Sequence, residues 1–240
     1  MPARDLTPYP LSSFFLEGYL SKKDDQTNFP ADDFYGVLGR YETLFLNVLS
    51  VLKLTKEQLK KRSEFNFDSG DAANMEGGIA MLRVVEALRL AGFTDIQLVQ
   101  PRKGEQGADI VCNKAGISVC LEVKAVTKQS RGRDGLFFEE QLYEKVREHA
   151  EKASRQLAAS AELLGSEVKL LAYVVNWFDQ SIYLDQSDYQ RIVDKLERHG
   201  EVESLKGVDG VLFVTKMGQR FLFLNEVGKR IDIQVNEVRE

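Results

Sequence analysis

The stretch of sequence that decides the fold is Gly107-Ala-Asp-Ile-Val-Cys-Asn-Lys-Ala-Gly-Ile-Ser-Val-Cys-Leu-Glu-Val-Lys124. Two runs with the composition of β-strands flank Asn113–Gly116, a segment typical of a tight turn. The pattern therefore predicts a β-hairpin with Lys114 and Ala115 at its tip. This hairpin is the part of the chain from which the rest of the fold and the function are inferred.

Side chains alternate between two faces along a strand, so the second strand of the hairpin has one polar and one apolar face. One face carries Ser118, Cys120, Glu122 and Lys124, and the other carries Val119, Leu121 and Val123. Asp109 lies opposite Cys120 in the predicted register and is the diagonal neighbour of Glu122, ~7–8 Å away at the backbone. The same register places Cys112 on the face opposite to Cys120, so no disulfide is expected between them.

Asp109, Glu122 and Lys124 together form a candidate metal-dependent catalytic site. Two carboxylates on one face repel each other unless a cation lies between them. Mg²⁺ prefers oxygen ligands and usually takes one or two carboxylates, and the backbone carbonyl of Val123 is a further candidate ligand. The ammonium group of Lys124 would neutralise charge that develops on a phosphate and help to orient the attacking water.

These residues resemble the motif of the PD-(D/E)XK nuclease superfamily. The match consists of Asp109, the triplet Glu122-Val-Lys124 and the twelve residues between them, after a helix that ends at Ala91-Gly92-Phe93. It covers roughly residues 74–178 and departs from the motif at Ala108, where the motif has proline. The resemblance implies a restriction-endonuclease-like fold that hydrolyses phosphodiester bonds of DNA with Mg²⁺, for which Mn²⁺ would substitute.

A second Glu-x-Lys triplet, Glu167-Val-Lys169, shows how little such a triplet means by itself. It follows a helix and a Gly165-Ser166 turn, and no upstream hairpin places an aspartate beside it. The alternative interpretation of Glu122 and Lys124 is accordingly an exposed ion pair on a strand, which contributes little to stability. The hairpin register and the apolar opposite face favour the nuclease site.

The family usually adds an acidic residue from the helix before the first strand, and two residues are candidates. Glu86 lies away from the predicted core face, between Arg83 and Arg89, which favours a solvated surface pair. Glu76 lies nearer the edge of the core face and is the preferred ligand for a metal ion or a water molecule. The alternative for Glu76 is a charge that the helix dipole favours at the start of a helix.

A basic loop is the candidate binding surface for the nucleic-acid backbone. Residues 101–133 carry seven basic side chains against three acidic ones, although the whole chain has a net charge of −5. The glycine-containing segment Thr127–Gly135 lies in this region and would contact phosphates. Its candidate contact residues are Lys128, Arg131 and Arg133. The alternative is a solvated charged loop.

The long helix that follows the basic loop carries two glutamines, Gln141 and Gln156. Some branches of the family use a glutamine from this helix, which would hydrogen-bond a substrate phosphate or order the active-site water. Gln156 is therefore a candidate nucleic-acid contact. A solvated helix glutamine is the alternative for each of them.

The order of apolar patterns predicts an α/β domain with a mixed sheet between helices. Residues 1–68 are expected to form a mostly helical N-terminal region for recognition or dimerisation, and residues 69–240 a nuclease-like domain. The expected helices are Asn74–Ala91, Phe137–Leu164 and Ser187–Arg198, and the expected strands are Ile96–Val99, Ala108–Val111, Ile117–Val123, Val168–Trp177, Val211–Thr215 and Arg220–Leu224.

Composition limits the classes of function. The chain has 240 residues with 43% hydrophobic and 29% charged residues, which is typical of a globular protein. Two cysteines and two histidines make a zinc site an unlikely expectation, and a reduced cytoplasmic setting fits this low cysteine content. No apolar stretch has the ~20 residues of a membrane span, so no membrane partner is expected.

The function expected from these features is that of a Mg²⁺-dependent deoxyribonuclease, an endonuclease of the restriction or defence type. Two alternatives remain open at this stage. The first keeps the chemistry but changes the substrate to branched DNA, as in a junction resolvase, or to single-stranded ends. The second is a nuclease fold that no longer cuts and only binds nucleic acid. RNA is not excluded as the partner, and a homodimer would allow cleavage of both strands.

Overall fold

The structure, a computed structural model, describes residues 5–20, 34–63, 72–100, 107–126, 139–175, 207–215 and 218–231. Within these ranges the chain is an α/β protein whose strands form one mixed sheet flanked by helices, as the sequence predicted. The helices are α1 (Pro10–Leu20), α2 (Phe34–Leu52), α3 (Lys56–Arg62), α4 (Ala72–Leu90), α5 (Glu139–Leu164) and α6 (Glu226–Lys229). The strands are β1 (Thr94–Leu98), β2 (Ile110–Lys114), β3 (Ile117–Val126), β4 (Val168–Val175), β5 (Gly210–Thr215) and β6 (Gly218–Phe223).

The described strands lie in the sheet in chain order, from β1 at one edge to β6 at the other. The β1–β2, β2–β3 and β5–β6 pairs are antiparallel, whereas β3–β4 and β4–β5 are parallel. Helix α5 is the crossover that joins the parallel strands β3 and β4, as parallel pairing requires. The helix predicted at Ser187–Arg198 lies outside the described residues.

Helices α1, α2 and α3 confirm the mostly helical character expected for the N-terminal region. Pro10 begins α1, where the missing amide costs no helical hydrogen bond. The next two amides of α1 donate to the carboxylate of Glu42 in α2, with Leu11 N at 3.1 Å and Ser12 N at 2.7 Å. Thr55 and Gln58 form a capping box at the start of α3.

Each face of the sheet has its own apolar cluster. Helix α4 packs on the face of Leu121, in a cluster that also includes side chains of α1 and α2, such as Phe15 and Phe45. Helix α5 packs on the opposite face, over Cys120 of β3 and Tyr173 of β4. The helical N-terminal region thus shares a core with the α4 side of the sheet, and the division at residue 68 stays a prediction.

The hairpin of β2 and β3 forms, but its tip lies one residue later than predicted. Ala115 and Gly116 occupy the tip with φ angles of 50° and 80°. A two-residue hairpin turn requires positive φ at both positions, and glycine accepts such an angle without strain. The register therefore shifts by two residues, so that Val111 and not Asp109 lies opposite Cys120.

Two other local predictions are confirmed. Helix α4 stops before Gly92, whose φ of 75° suits the left-handed end of a helix. The amide of Phe93 then donates to the carbonyl of Leu88, 3.0 Å away. The free cysteines Cys112 and Cys120 lie in the clusters on opposite faces of the sheet, so the two thiols are kept apart.

None of the described helices combines the length and the apolar character that crossing a bilayer needs.

Candidate active site

Glu122 is the centre of the candidate site, and it is buried. It lies in β3 on the face covered by α5, and only 4% of its surface is exposed. One carboxylate oxygen, Oε1, accepts a hydrogen bond from Lys124 Nζ at 2.5 Å. The other oxygen, Oε2, is buried and has no hydrogen-bond partner among the described residues. The pair is therefore not the exposed ion pair that the alternative interpretation required.

The burial of Glu122 has an electrostatic consequence. Loss of contact with water raises the pKa of its carboxyl above the ordinary value, and the positive charges of Lys124 and, more weakly, Lys152 oppose that rise. A buried carboxylate with an unsatisfied oxygen is costly unless a cation or a proton compensates it. Oε2 of Glu122 is thus the atom at which a further cation or a proton would be stabilising.

Asp109 reaches the same place by a route that simple strand alternation did not predict. Strand β2 begins only at Ile110, and the chain bends at Asp109. The two neighbours of Asp109 lie on opposite faces, since Ala108 packs in the α5-side cluster and Ile110 in the α4-side cluster. The predicted diagonal placement of Asp109 is therefore wrong, because it assumed a regular strand through this residue.

At this bend, Asp109 contacts the backbone on both sides of Glu122. Its amide donates to the carbonyl of Leu121 at 2.8 Å, and its carboxylate oxygen Oδ2 accepts from the amide of Val123 at 2.6 Å. Asp109 thus contacts the residue before Glu122 and the residue after it. The structure places Asp109 beside the backbone of Glu122 through these two contacts, and not through the predicted register.

Val123 was predicted to supply a backbone carbonyl to the metal ion. Its amide is directed toward Asp109, and in an antiparallel ladder a residue turns its amide and carbonyl toward the same neighbouring strand. The described pairing of β2 with β3 ends at Ile110 and Leu121, before Val123 is reached. The carbonyl of Val123 therefore faces the same side of β3 as its amide, which is the side on which Asp109 lies.

Helix α5 contributes a polar edge that the sequence analysis recognised only at Gln156. Lys152, Gln156 and Ser160 follow one another at four-residue intervals and therefore lie along one edge of the helix. Lys152 acts on the carboxylate of Glu122, and Ser160 Oγ accepts from the amide of Ala108 at 2.7 Å. The Ser160 hydrogen bond places this edge over the residue before Asp109, and the regular four-residue spacing is what marks the edge in the sequence.

Gln156 lies between those two contact points on the polar edge of α5. Its side-chain oxygen Oε1 is buried and has no hydrogen-bond partner among the described residues. His149, three residues before Lys152, places its ring 5.6 Å from that of Tyr173, which pairs with Lys124 across β3 and β4. No role was predicted for His149, because a histidine on a polar helix has no sequence pattern that distinguishes a site residue from a surface one.

The side chains of four predicted site residues lie outside the described residues. Glu76 lies in α4, on the helix that packs against the face opposite to Glu122, and its side chain is outside the described residues. The basic residues Lys128, Arg131 and Arg133 are also outside the described residues. The roles assigned to these four residues stay predictions.

Glu86 behaves largely as expected, but one of its flanking arginines does not. Glu86 forms two hydrogen bonds with Arg89, at 2.7 and 2.8 Å, and a third with Asn47 of α2 at 2.9 Å. Arg83 was expected on the solvated side and is instead buried, with 9% of its surface exposed. Burial lowers the pKa of its guanidinium to about 9. Packing of α2 against α4 covers this side of the helix.

The second Glu-x-Lys triplet serves a structural role. Glu167 is exposed and pairs with Arg230 at 2.9 Å. The backbone of Lys169 is tied to Asp209, whose Oδ2 accepts from the Lys169 amide at 2.8 Å. Neither contact resembles the buried arrangement at Glu122. The two Glu-x-Lys triplets thus have the same sequence but differ in burial and in contacts.

The residues present fit a hard divalent cation bound by oxygen. Two carboxylates and one carbonyl are available at Asp109, Glu122 and Val123, and Mg²⁺ usually completes such a set with water and phosphate oxygens. The unpartnered Oε2 of Glu122 is the observation that favours a cation here. Among the described residues, no group of three or more His, Cys, Asp or Glu side chains comes together.

Comparisons with protein-family models, curated proteins and solved structures find no match to this chain.

Proposed function

We propose that this chain is a Mg²⁺-dependent phosphodiesterase that cleaves DNA on a restriction-endonuclease-like fold, as an endonuclease of the restriction or defence type. The single observation that carries the proposal is the buried carboxylate of Glu122, which has one oxygen on Lys124 and one without a partner among the described residues. The contacts of Asp109 with the residues on either side of Glu122 support it, because they place a second acid beside Glu122 that would share its cation.

The chemistry assigns a role to each described residue. Asp109, Glu122 and the Val123 carbonyl would hold Mg²⁺, which supplies a nucleophilic water and neutralises phosphate charge when bound. Lys124 lies 2.5 Å from Glu122 Oε1 and is 20% exposed, so its ammonium is held at the site and still open to a substrate. It would stabilise the negative charge that develops on the phosphate as water attacks.

Binding of DNA to an acidic chain needs local positive charge. Lys124 forms an ion pair with Glu122, and Lys152 of α5 contributes a weaker positive charge that also lowers the pKa of Glu122. Gln156 lies on the same helix edge as Lys152 and Ser160, and its side-chain NH₂ group would donate a hydrogen bond to a phosphate. Lys128, Arg131 and Arg133, and the metal-assisting role of Glu76, belong to the proposal on the strength of the sequence alone.

The test is cleavage of linear and circular duplex DNA by the purified full-length chain with Mg²⁺. Glu122→Ala and Lys124→Ala should each reduce the rate by at least ~10²-fold, because each removes a group that acts on the transition state. Glu167→Gln is the matched control, since it alters the exposed Glu-x-Lys triplet, and it should cut at the wild-type rate. Undiminished cleavage by Glu122→Ala would overturn the assignment.

Two further measurements separate the alternatives. Faster cleavage of four-way or single-stranded substrates than of linear duplex would replace the restriction-type assignment by a junction or end nuclease. Binding of DNA without cleavage, together with the absence of Mg²⁺ and Mn²⁺ binding in calorimetry, would identify a nucleic-acid-binding module instead of an enzyme.

A further inference from the structure

Asp109 is held by backbone bonds on two sides: its amide donates to the carbonyl of Leu121 at 2.8 Å, and its carbonyl accepts from the amide of Val99 at 2.9 Å. It lies one residue before β2 begins, and the bend at this position places Ala108 and Ile110 on opposite faces. These bonds hold Asp109 itself but do not reach the residue before it. The direction in which the chain enters the strand therefore also depends on what holds Ala108.

The segment before Asp109 is held by Ser160 from helix α5. The Ser160 hydroxyl oxygen accepts a hydrogen bond from the amide of Ala108 at 2.7 Å, between residues 52 positions apart in the chain. The bond is buried, with 6% of the Ser160 surface and 3% of the Ala108 surface exposed. A hydrogen bond shielded from water constrains geometry more firmly than an exposed one.

The fit between the segment and the helix is close. A Cβ atom added to Gly107 would lie 3.0 Å from Ser160 Oγ, so glycine allows the chain to approach the hydroxyl. Alanine at position 108 supplies the amide hydrogen that the bond needs, whereas a proline there would have none. Gly107, Ala108 and Ser160 thus form a matched contact directly before Asp109.

We propose that Ser160 is a positioning residue that holds the carboxylate of Asp109 beside Glu122 by anchoring the amide of Ala108. This inference rests on the proposed function, because the purpose of the anchor is a shared cation at the two acids. Ser160 itself touches neither acid directly. Its effect passes through the backbone of Ala108 to Asp109, whose Oδ2 is held by the Val123 amide.

The experiment compares Ser160→Ala with Ser154→Ala in the full-length chain. Ser154 lies on the same helix, and its exposed hydroxyl donates to the carbonyl of Glu151 one turn away, at 3.0 Å. Ser160→Ala should weaken Mn²⁺ binding in calorimetry by 10–100-fold, the effect usual for loss of a group that orients a ligand. Ser154→Ala should bind Mn²⁺ as the wild type does, and Ser160→Thr should restore binding because it keeps the hydroxyl.

A second measurement does not depend on the metal. Hydrogen exchange in the metal-free protein should be faster at the Ala108 and Asp109 amides of Ser160→Ala, and unchanged there in Ser154→Ala. Wild-type Mn²⁺ affinity in Ser160→Ala, with or without a lower melting temperature, would overturn the positioning role while leaving the nuclease assignment intact. Failure of the wild-type chain itself to bind Mn²⁺ would overturn both.

Discussion

The carboxylate of Asp109 accepts a hydrogen bond from the backbone amide of Val123, with a distance of 2.6 Å between Oδ2 and the nitrogen. This contact fastens a residue outside the β2 ladder to the strand that carries Glu122. A carboxylate that accepts such a bond from a backbone amide is oriented before any cation arrives. The orientation of the Asp109 carboxylate is therefore set by the fold itself.

Binding of the metal should stabilise the folded protein. Mg²⁺ or Mn²⁺ that binds only the folded state adds about 2.7 kcal/mol when its concentration is 100 times the dissociation constant. The melting temperature should thus rise with metal concentration in the wild type, as calorimetry would show. Asp109→Asn keeps an oxygen for the Val123 amide but loses the charge, so it should fold and show a much smaller rise. An equal rise in both proteins would contradict the role of Asp109.

Replacing Glu122 by glutamine should stabilise the metal-free protein. Burial raises the pKa of the Glu122 carboxyl, so the folded state binds this proton more tightly than the unfolded chain does. Stability consequently falls as pH rises from the ordinary glutamate pKa through the raised one. Glu122→Gln lacks this loss and should gain about 0.5–2 kcal/mol at neutral pH, as substitutions that relieve a functional site commonly do.

The pH dependence distinguishes this explanation from a general change in packing. The advantage of Glu122→Gln over the wild type should shrink as pH drops below the ordinary glutamate pKa, where both side chains are neutral. Denaturant unfolding at several pH values measures it. Glu167→Gln, at an exposed pair with Arg230, should stay within about 0.5 kcal/mol of the wild type at each pH. A wild type more stable than Glu122→Gln at neutral pH would refute the prediction.

Gln156→Leu should separate stability from function. The buried oxygen of Gln156 has no hydrogen-bond partner among the described residues. Replacing the side chain by leucine, which has a similar size, should therefore leave the free energy of unfolding unchanged or raise it by up to about 1 kcal/mol. DNA affinity should nevertheless decrease, because a phosphate contact is lost. Urea unfolding and a fluorescence binding titration measure the two effects. Reduced stability with unchanged DNA affinity would show that Gln156 only supports the helix.

Asp209→Ala should be strongly destabilising although Asp209 lies outside the candidate site. Its buried carboxylate accepts from the amide of Lys169 at 2.8 Å and from Asn225 Nδ2 at 2.9 Å. Removing it leaves the partly buried Lys169 amide without its acceptor, at about 1–3 kcal/mol, and loosens Asn225, the N-cap of α6, at about 0.5–2 kcal/mol. Denaturant unfolding should show a loss of roughly 2–5 kcal/mol. Glu226→Ala removes an exposed pair with Lys229 and should cost under about 1 kcal/mol, so an equal loss would disprove the explanation.

Local sequence predicted the parts of the fold that local physics controls. Alternation along residues 117–124 correctly separated the face of Cys120 and Glu122 from the face of Leu121. Gly92 correctly marked the end of a helix, because few other residues adopt its backbone angle without strain. The order of elements in the described residues also followed from periodicity, which depends only on neighbours in the chain.

Tertiary structure decided the geometry of the site. The turn at Ala115 and Gly116 moved the register by two residues, and a bend placed Asp109 off the regular strand. Neither is visible in a pattern of polar and apolar residues, because the turn depends on backbone angles and the bend lies where the chain packs against α5. The burial of Arg83 between packed helices was likewise decided by contacts distant in sequence.

By itself, the sequence determined that Asp109, Glu122 and Lys124 belong to one hairpin with an apolar underside. Only the tertiary structure decided that Glu122 is buried with one oxygen unpartnered among the described residues, and that Ser160 anchors the segment before Asp109. The physical reason is the range of the interactions. Strand alternation acts between neighbours, whereas burial and the Ala108–Ser160 hydrogen bond arise only when α5 folds back across the sheet.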